Sequence, residues 1–126
     1  MALIVDDEKY LAEIFATALQ RAGYQTEIVN SGQAAMARLA DVTPAVVVLD
    51  LTLGDMSGDQ ILKNIRANPR LAKTRIIVAS AEQQRAESLR GKADLVLIKP
   101  ISYVQLRDLA ARLRPPSDSL DKDKPA

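Results

Sequence analysis

Four places in the chain put a group with phosphate or metal chemistry directly after an apolar run. Asp6-Asp7 follows Ala2-Leu3-Ile4-Val5, and Asp50 follows Val46-Val47-Val48-Leu49. Ser80 follows Ile76-Ile77-Val78-Ala79, and Lys99 follows Leu95-Val96-Leu97-Ile98. Short runs this rich in β-branched side chains read as strands buried on both faces, the kind found in parallel sheets covered by helices. Ligands of open α/β sheets bind beyond the carboxyl ends of the strands, so the four polar groups are expected along one edge. Three carboxylates crowded there repel one another unless a cation intervenes. The chain has no cysteine and no histidine, so the cation must be a hard one held by oxygens. Magnesium, which keeps water and completes its shell with phosphate, fits. Lys99 offers a point charge to a phosphoryl oxygen and Ser80 a hydroxyl to another. A carboxylate can attack phosphorus to form an acyl phosphate. The minimal chemistry is phosphoryl transfer to Asp50, with Asp6 and Asp7 holding the metal.

The elements that must carry these groups alternate along the chain. After the first run, Leu11, Ile14, Phe15, Ala18, Leu19 and Ala22 share one helix face, which Gly23 ends. Residues 25–29 suggest a second strand, and Asn30-Ser31-Gly32 a cap for a helix burying Ala35, Met36 and Leu39. Pro44 opens the third strand, and Ile61, Leu62 and Ile65 mark a third helix, ended by Asn68-Pro69. A weaker helix is expected over 81–90, stopped by Gly91. Ser102 with Gln105 makes a capping box for a last helix burying Leu106, Leu109, Ala110 and Leu113. Five strands alternating with five helices make an α/β, doubly wound parallel sheet. The order 2-1-3-4-5 is expected, because it sets the ends of strands one and three side by side. The domain is expected over 1–114, and the polar, aperiodic stretch 115–126 reads as a disordered tail or a truncated linker.

Composition narrows the function classes. The 126 residues carry 17 basic and 16 acidic side chains, a balance that gives no reason to expect nucleic acid or a membrane surface as partner. Lack of cysteine and histidine excludes disulfide scaffolds, thiolate or histidine zinc sites and histidine-based triads. The apolar runs are too short to span a bilayer and no charged-then-apolar leader opens the chain, so a cytoplasmic domain is expected.

Val5-Asp6-Asp7-Glu8, Val48-Leu49-Asp50-Leu51, Gly58, Ser80-Ala81 and Lys99-Pro100 together resemble the receiver domain of bacterial two-component response regulators, over residues 2–113. The resemblance implies that Asp50 is the phosphoacceptor in a phosphorelay, charged by a histidine kinase or a histidine phosphotransfer protein. It implies that Asp7 and Asp50 ligate Mg2+ with the Thr52 backbone carbonyl, while Asp6 acts mostly through water. It further implies that Lys99 contacts the phosphoryl group, that the Lys99–Pro100 bond is cis, and that Ser80 swings its hydroxyl onto the phosphate. Such a domain is no enzyme beyond its own phosphorylation and dephosphorylation, the latter set by side chains such as Thr52 and Glu82. It signals to a downstream protein on the face of the fourth helix, fifth strand and fifth helix. Whether the same face pairs two copies is left open.

Two departures stand out. Gly54 occupies a position where the family usually has proline, which implies a more mobile loop. Val96 stands where the family's aromatic switch sits, and a valine has no ring to swing. Tyr103, the nearest aromatic, lies beyond Pro100 and is not assigned that role. These departures keep alive a receiver-like scaffold that binds partners regardless of phosphate. A magnesium-dependent phosphohydrolase with an aspartate nucleophile is the third reading. It wants an acid two residues after the nucleophile, where this chain has Thr52. Asp55, Asp59 and Asp94 are read as loop solvation and capping, and Lys63, Arg66, Arg70, Lys73 and Arg75 as a solvated helix face.

Overall fold

The computed structural model describes residues 1–114; the expected tail at 115–126 lies outside them. Strands β1 (Ala2–Val5), β2 (Thr26–Val29), β3 (Val46–Asp50), β4 (Arg75–Ser80) and β5 (Leu95–Ile98) alternate with five helices. These are α1 (Lys9–Arg21), α2 (Gly32–Asp41), α3 (Gly58–Ala67), α4 (Gln83–Glu87) and α5 (Tyr103–Arg112). Every strand pair is parallel and the order is β2-β1-β3-β4-β5, as the strand pattern predicts.

Alternation across the pleat divides each apolar run between two cores. Ile4, Val46, Val48, Ile77 and Leu97 join Phe15 and Leu19 of α1 and Leu106 of α5 in one cluster. Leu3, Val47, Leu49, Val78 and Val96 join Leu39 of α2, Ile61 and Ile65 of α3 and Ala86 of α4 in the other. A strand with both faces covered has no use for polar positions, which is why β3 reads as an unbroken apolar run. Each of its four apolar side chains, Val46 to Leu49, contributes about 1.5–3 kcal/mol by leaving water. The register then lines up the strand ends. Val5 lies beside Leu49, Asp50 beside Ala79, and Ser80 beside Ile98, so Asp6, Asp50, Ser80 and Lys99 fall in one row.

Turn chemistry closes the elements as expected at several points. Gly23 and Gly91 adopt φ of +102° and +95°, a left-handed backbone that a side chain would strain. The Ser31 and Ser102 hydroxyls accept from the N–H groups of Ala34 and Gln105. Gly58 has a different reason to be glycine: a Cβ there would lie 2.5 Å from the Asp50 carbonyl oxygen. The first turn of α3 therefore rests directly on the backbone that carries Asp50.

Two expectations need correction. The helix expected over 81–90 is only five residues long, with Ala86 its one buried side chain. Leu89 reaches the core from the following turn, where its N–H donates to the Ala86 carbonyl. So short a segment lacks the apolar stripe that holds longer helices in place. The basic cluster is only partly a solvated face. All five residues are exposed, as expected, but Arg66 also donates to the carbonyls of Lys92 and Thr74 and to Asp94. Arg70 likewise donates to the carbonyls of Val42 and Leu39 and to the Thr43 hydroxyl. Asp94 also accepts from the Ile76 N–H at 2.7 Å and from Arg75, which pins the start of β5. No described helix is long and apolar enough to cross a membrane.

Candidate functional site at the carboxyl edge

The row of strand ends converges on three carboxylates. Asp6, Asp7 and Asp50 each place an oxygen within 4.8 Å of the others. Asp6 is 1 % exposed and Asp50 5 %, whereas Asp7 lies open to solvent. Lys99 Nζ stands 3.4 Å from Asp50 Oδ1 and 3.7 Å from Asp6 Oδ2. The Lys99–Pro100 bond is cis, and the Lys99 N–H donates to the Ser80 carbonyl at 2.8 Å.

Burial pushes the Asp6 carboxyl above the usual carboxylate range, and the neighbouring charges of Asp50 and Asp7 push the same way. The Glu8 N–H, 2.9 Å from Asp6 Oδ1, and the Lys99 ammonium only partly offset this. The second oxygen, Oδ2, is buried without a hydrogen-bond partner. A buried carboxylate oxygen with no hydrogen bond, faced only by the Lys99 ammonium at 3.7 Å, costs free energy. A cation at the mouth of the three carboxylates would offset that cost, and the all-oxygen donor set suits a hard divalent ion. The residues present fit such an ion.

The other expected residues arrive with partners of their own. Thr52 donates its N–H to Asp50 Oδ1 at 3.2 Å and forms an isolated antiparallel bridge with Ser57, so the loop after β3 turns back over the acceptor. A Cβ at Gly54 would lie 3.6 Å from Asp7 Oδ2, which brings that loop against the carboxylates. Ser80 is buried, and its hydroxyl accepts from the Glu82 N–H at 3.0 Å. In this state Ser80 caps the approach to α4. Val96, 8 % exposed, packs in the same core cluster as Ala86 and Leu89, with no ring between α4 and the sheet.

Two residues near the site carry more than their sequence context announces. Asp55, expected only to cap or solvate, accepts from the N–H groups of Gly32 and Gln33, both at 2.8 Å. These bonds hold its carboxyl below the usual range and tie the loop to α2. Arg85 of α4 donates to the Leu51 carbonyl at 2.8 Å, to Ser57 Oγ at 2.9 Å and to Asp59 at 2.7 Å. Its partner Leu51 is 34 positions away, and no spacing rule links residues across such a gap.

A family model described as the response regulator receiver domain matches residues 2–111, and the chain belongs to that family. Among curated relatives it is 36 % identical over 113 residues to the transcriptional regulatory protein TrcR of Mycobacterium tuberculosis, covering 89 % of this chain and 43 % of that protein. It is 33 % identical to the regulatory protein AtoC of Escherichia coli, over 87 % of this chain and 24 % of that one. The chain thus spans less than half the length of these relatives. Among solved structures, a CheY-like receiver domain from Methylobacillus flagellatus superposes with a TM-score of 0.80 at 29 % identity. That match covers 90 % of this chain and 97 % of the other. The protein is a receiver domain of two-component signalling, a family whose members work between kinases and downstream effectors.

Proposed function

We propose that Asp50 is the phosphoacceptor and that Asp6, Asp7, Asp50 and the Thr52 backbone carbonyl hold Mg2+ beside it. The observation that carries this reading is the pairing of a buried acceptor carboxylate with Lys99 at 3.4 Å, next to a buried oxygen of Asp6 that has no hydrogen bond. Bound Mg2+ would neutralise the carboxylates and draw in the phosphoryl oxygens. An Asp50 oxygen attacks phosphorus as the bond from phosphorus to the donor's histidine nitrogen breaks, leaving an acyl phosphate on Asp50 and a free imidazole on the donor. Lys99, already within reach of Asp50 Oδ1, then pairs with a phosphoryl oxygen. The Ser80 hydroxyl, which now accepts from the Glu82 N–H, turns to donate to a phosphoryl oxygen, and the move frees the amino end of α4. The donor is a histidine kinase or a histidine phosphotransfer protein, and the downstream partner docks on α4, β5 and α5. A cytoplasmic location goes with that chemistry, and the domain turns over no substrate beyond its own acyl phosphate.

The experiment is intact mass after incubation with acetyl phosphate and Mg2+, alongside Asp50→Asn. One added phosphoryl group, absent in the variant, is expected; labelling that survives in Asp50→Asn sinks the assignment. Val96 supports a second reading, a scaffold whose partner affinity ignores phosphate, because the packing between α4 and β5 holds no aromatic side chain there. Equal partner affinity with and without a beryllofluoride mimic would select it. The phosphohydrolase reading gains nothing from the site, since the Thr52 side chain can supply no acid and instead faces Arg85.

A further inference from the structure

Arg85 is half-buried and spends most of its guanidinium on the loop after β3 and the first turn of α3. Nη2 donates to the Leu51 carbonyl, Ser57 Oγ and Asp59 Oδ1, Nε to Asp59 Oδ1 again, and Nη1 reaches Thr52 Oγ1 and Glu82 at 3.4 Å. The grip is arranged around one peptide. Leu51 immediately precedes Thr52, and Ser57 is the residue bridged to it. The rigid planar fork of an arginine can fix several acceptors at once, which a lysine cannot do.

We propose that Arg85 is a positioning residue for the cation site: it holds the Leu51–Thr52 peptide so that the Thr52 carbonyl faces the metal, and through the same bonds makes α4 respond to the ion. The proposal rests on the reading of Asp50, Asp6, Asp7 and Thr52 given above. The α4 helix is short and has one buried side chain, so the Arg85 clamp supplies much of what anchors it. Coupling of this kind is reciprocal. If α4 docking orders the loop for the cation, the cation must order α4 to the same extent.

The charge sign makes the proposal testable. Arg85 is a cation that reaches from α4 to the loop beside a cation site, so its removal should strengthen Mg2+ binding if Coulomb repulsion were its main influence. A positioning role predicts the opposite. Titrating the full chain with Mg2+ alone, followed by the amide resonances of Thr52 and Gly54, should show Arg85→Gln binding about tenfold more weakly, the loss typical of residues that orient metal ligands. Arg85→Lys keeps the charge without the fork and should bind nearly as weakly. Hydrogen exchange at the amides of Ala86 and Ser88, whose bonds define α4, should slow on Mg2+ addition in the wild type and not in either variant. Melting without Mg2+ confirms that each variant is folded, and Arg85→Lys alone carries the test if Arg85→Gln is not. Unchanged or tighter Mg2+ binding in the folded variants, or an α4 response that persists, overturns the proposal. Wild-type protein that neither binds Mg2+ nor accepts phosphate at Asp50 would instead overturn the reading on which it rests.

Discussion

Along the half of the carboxyl edge built by β1 and β3, buried carboxylates sit within reach of Lys99 and the backbone closes tightly around them. Along the half built by β4 and β5, a five-residue helix is held by one buried alanine, a serine cap and an arginine clamp, and a valine fills the core beneath it. On the proposed function the first half leaves no latitude, because phosphoryl chemistry needs particular atoms at particular distances. The second need only have two arrangements of similar free energy, and many side chains can meet that condition. The contrast teaches where the proposed chemistry tolerates departures from the family: at Val96 and along α4.

The largest expected effect lies on the first half. Asp50→Asn should abolish acyl phosphate formation outright while leaving the melting temperature in the absence of Mg2+ nearly unchanged. A large fall in stability would mean that Asp50 serves folding as much as chemistry and would blur the contrast. Gly58→Ala comes next, because its Cβ would meet backbone rather than a yielding side chain. A loss of about 2 kcal/mol is expected from such overpacking, measured by urea unfolding. A neutral result would show that the β3 end has more slack than its geometry implies.

At the opposite, amino edge of β4 and β5, Asp94→Asn should cost about 1.5 kcal/mol at neutral pH, since it weakens charged hydrogen bonds to Ile76, Arg66 and Arg75. Burial alone would raise the Asp94 carboxyl, but the Ile76 N–H and the two arginines together hold it below the usual range. A depressed folded value means the stabilisation is complete above about pH 4, the unfolded range, and is lost as pH falls through the folded value. The wild type should therefore lose its advantage over Asp94→Asn below that range, and a gap that stays constant into acid would refute the assignment. The smallest effect concerns caps. Ser102→Ala should cost about 1 kcal/mol, and Ser31→Ala less, because Asp55 also serves the amino end of α2. Equal losses in thermal melts would show that the Asp55 bonds contribute little.

The carboxyl-edge site was readable because its residues terminate apolar runs, and a parallel sheet must bring such ends together. Asp6, Asp50, Ser80 and Lys99 needed no distant information. The length of α4 was not readable, since Ala86 and Leu89 fit a long weak helix as well as a short one followed by a turn. The structural work of Arg66, Arg70 and Arg85 was hidden for a different reason. Their acceptors include main-chain carbonyls from other elements, and a carbonyl has no letter in the sequence. A reading by residue type sees only an arginine on a polar face.

The loop between β3 and α3 is tethered on both flanks, by Arg85 at Leu51 and Ser57 and by Asp55 on α2. Leu53, Gly54 and Met56 lie between these anchors without a hydrogen bond from a neighbouring helix, and Met56 packs against Gly32 of α2. Each residue fixed in advance spares an incoming ligand about 1–2 kcal/mol of backbone entropy. A cation bound there would therefore meet a loop whose freedom has largely been surrendered during folding, with Gly54, beside Asp7, among the residues left untied.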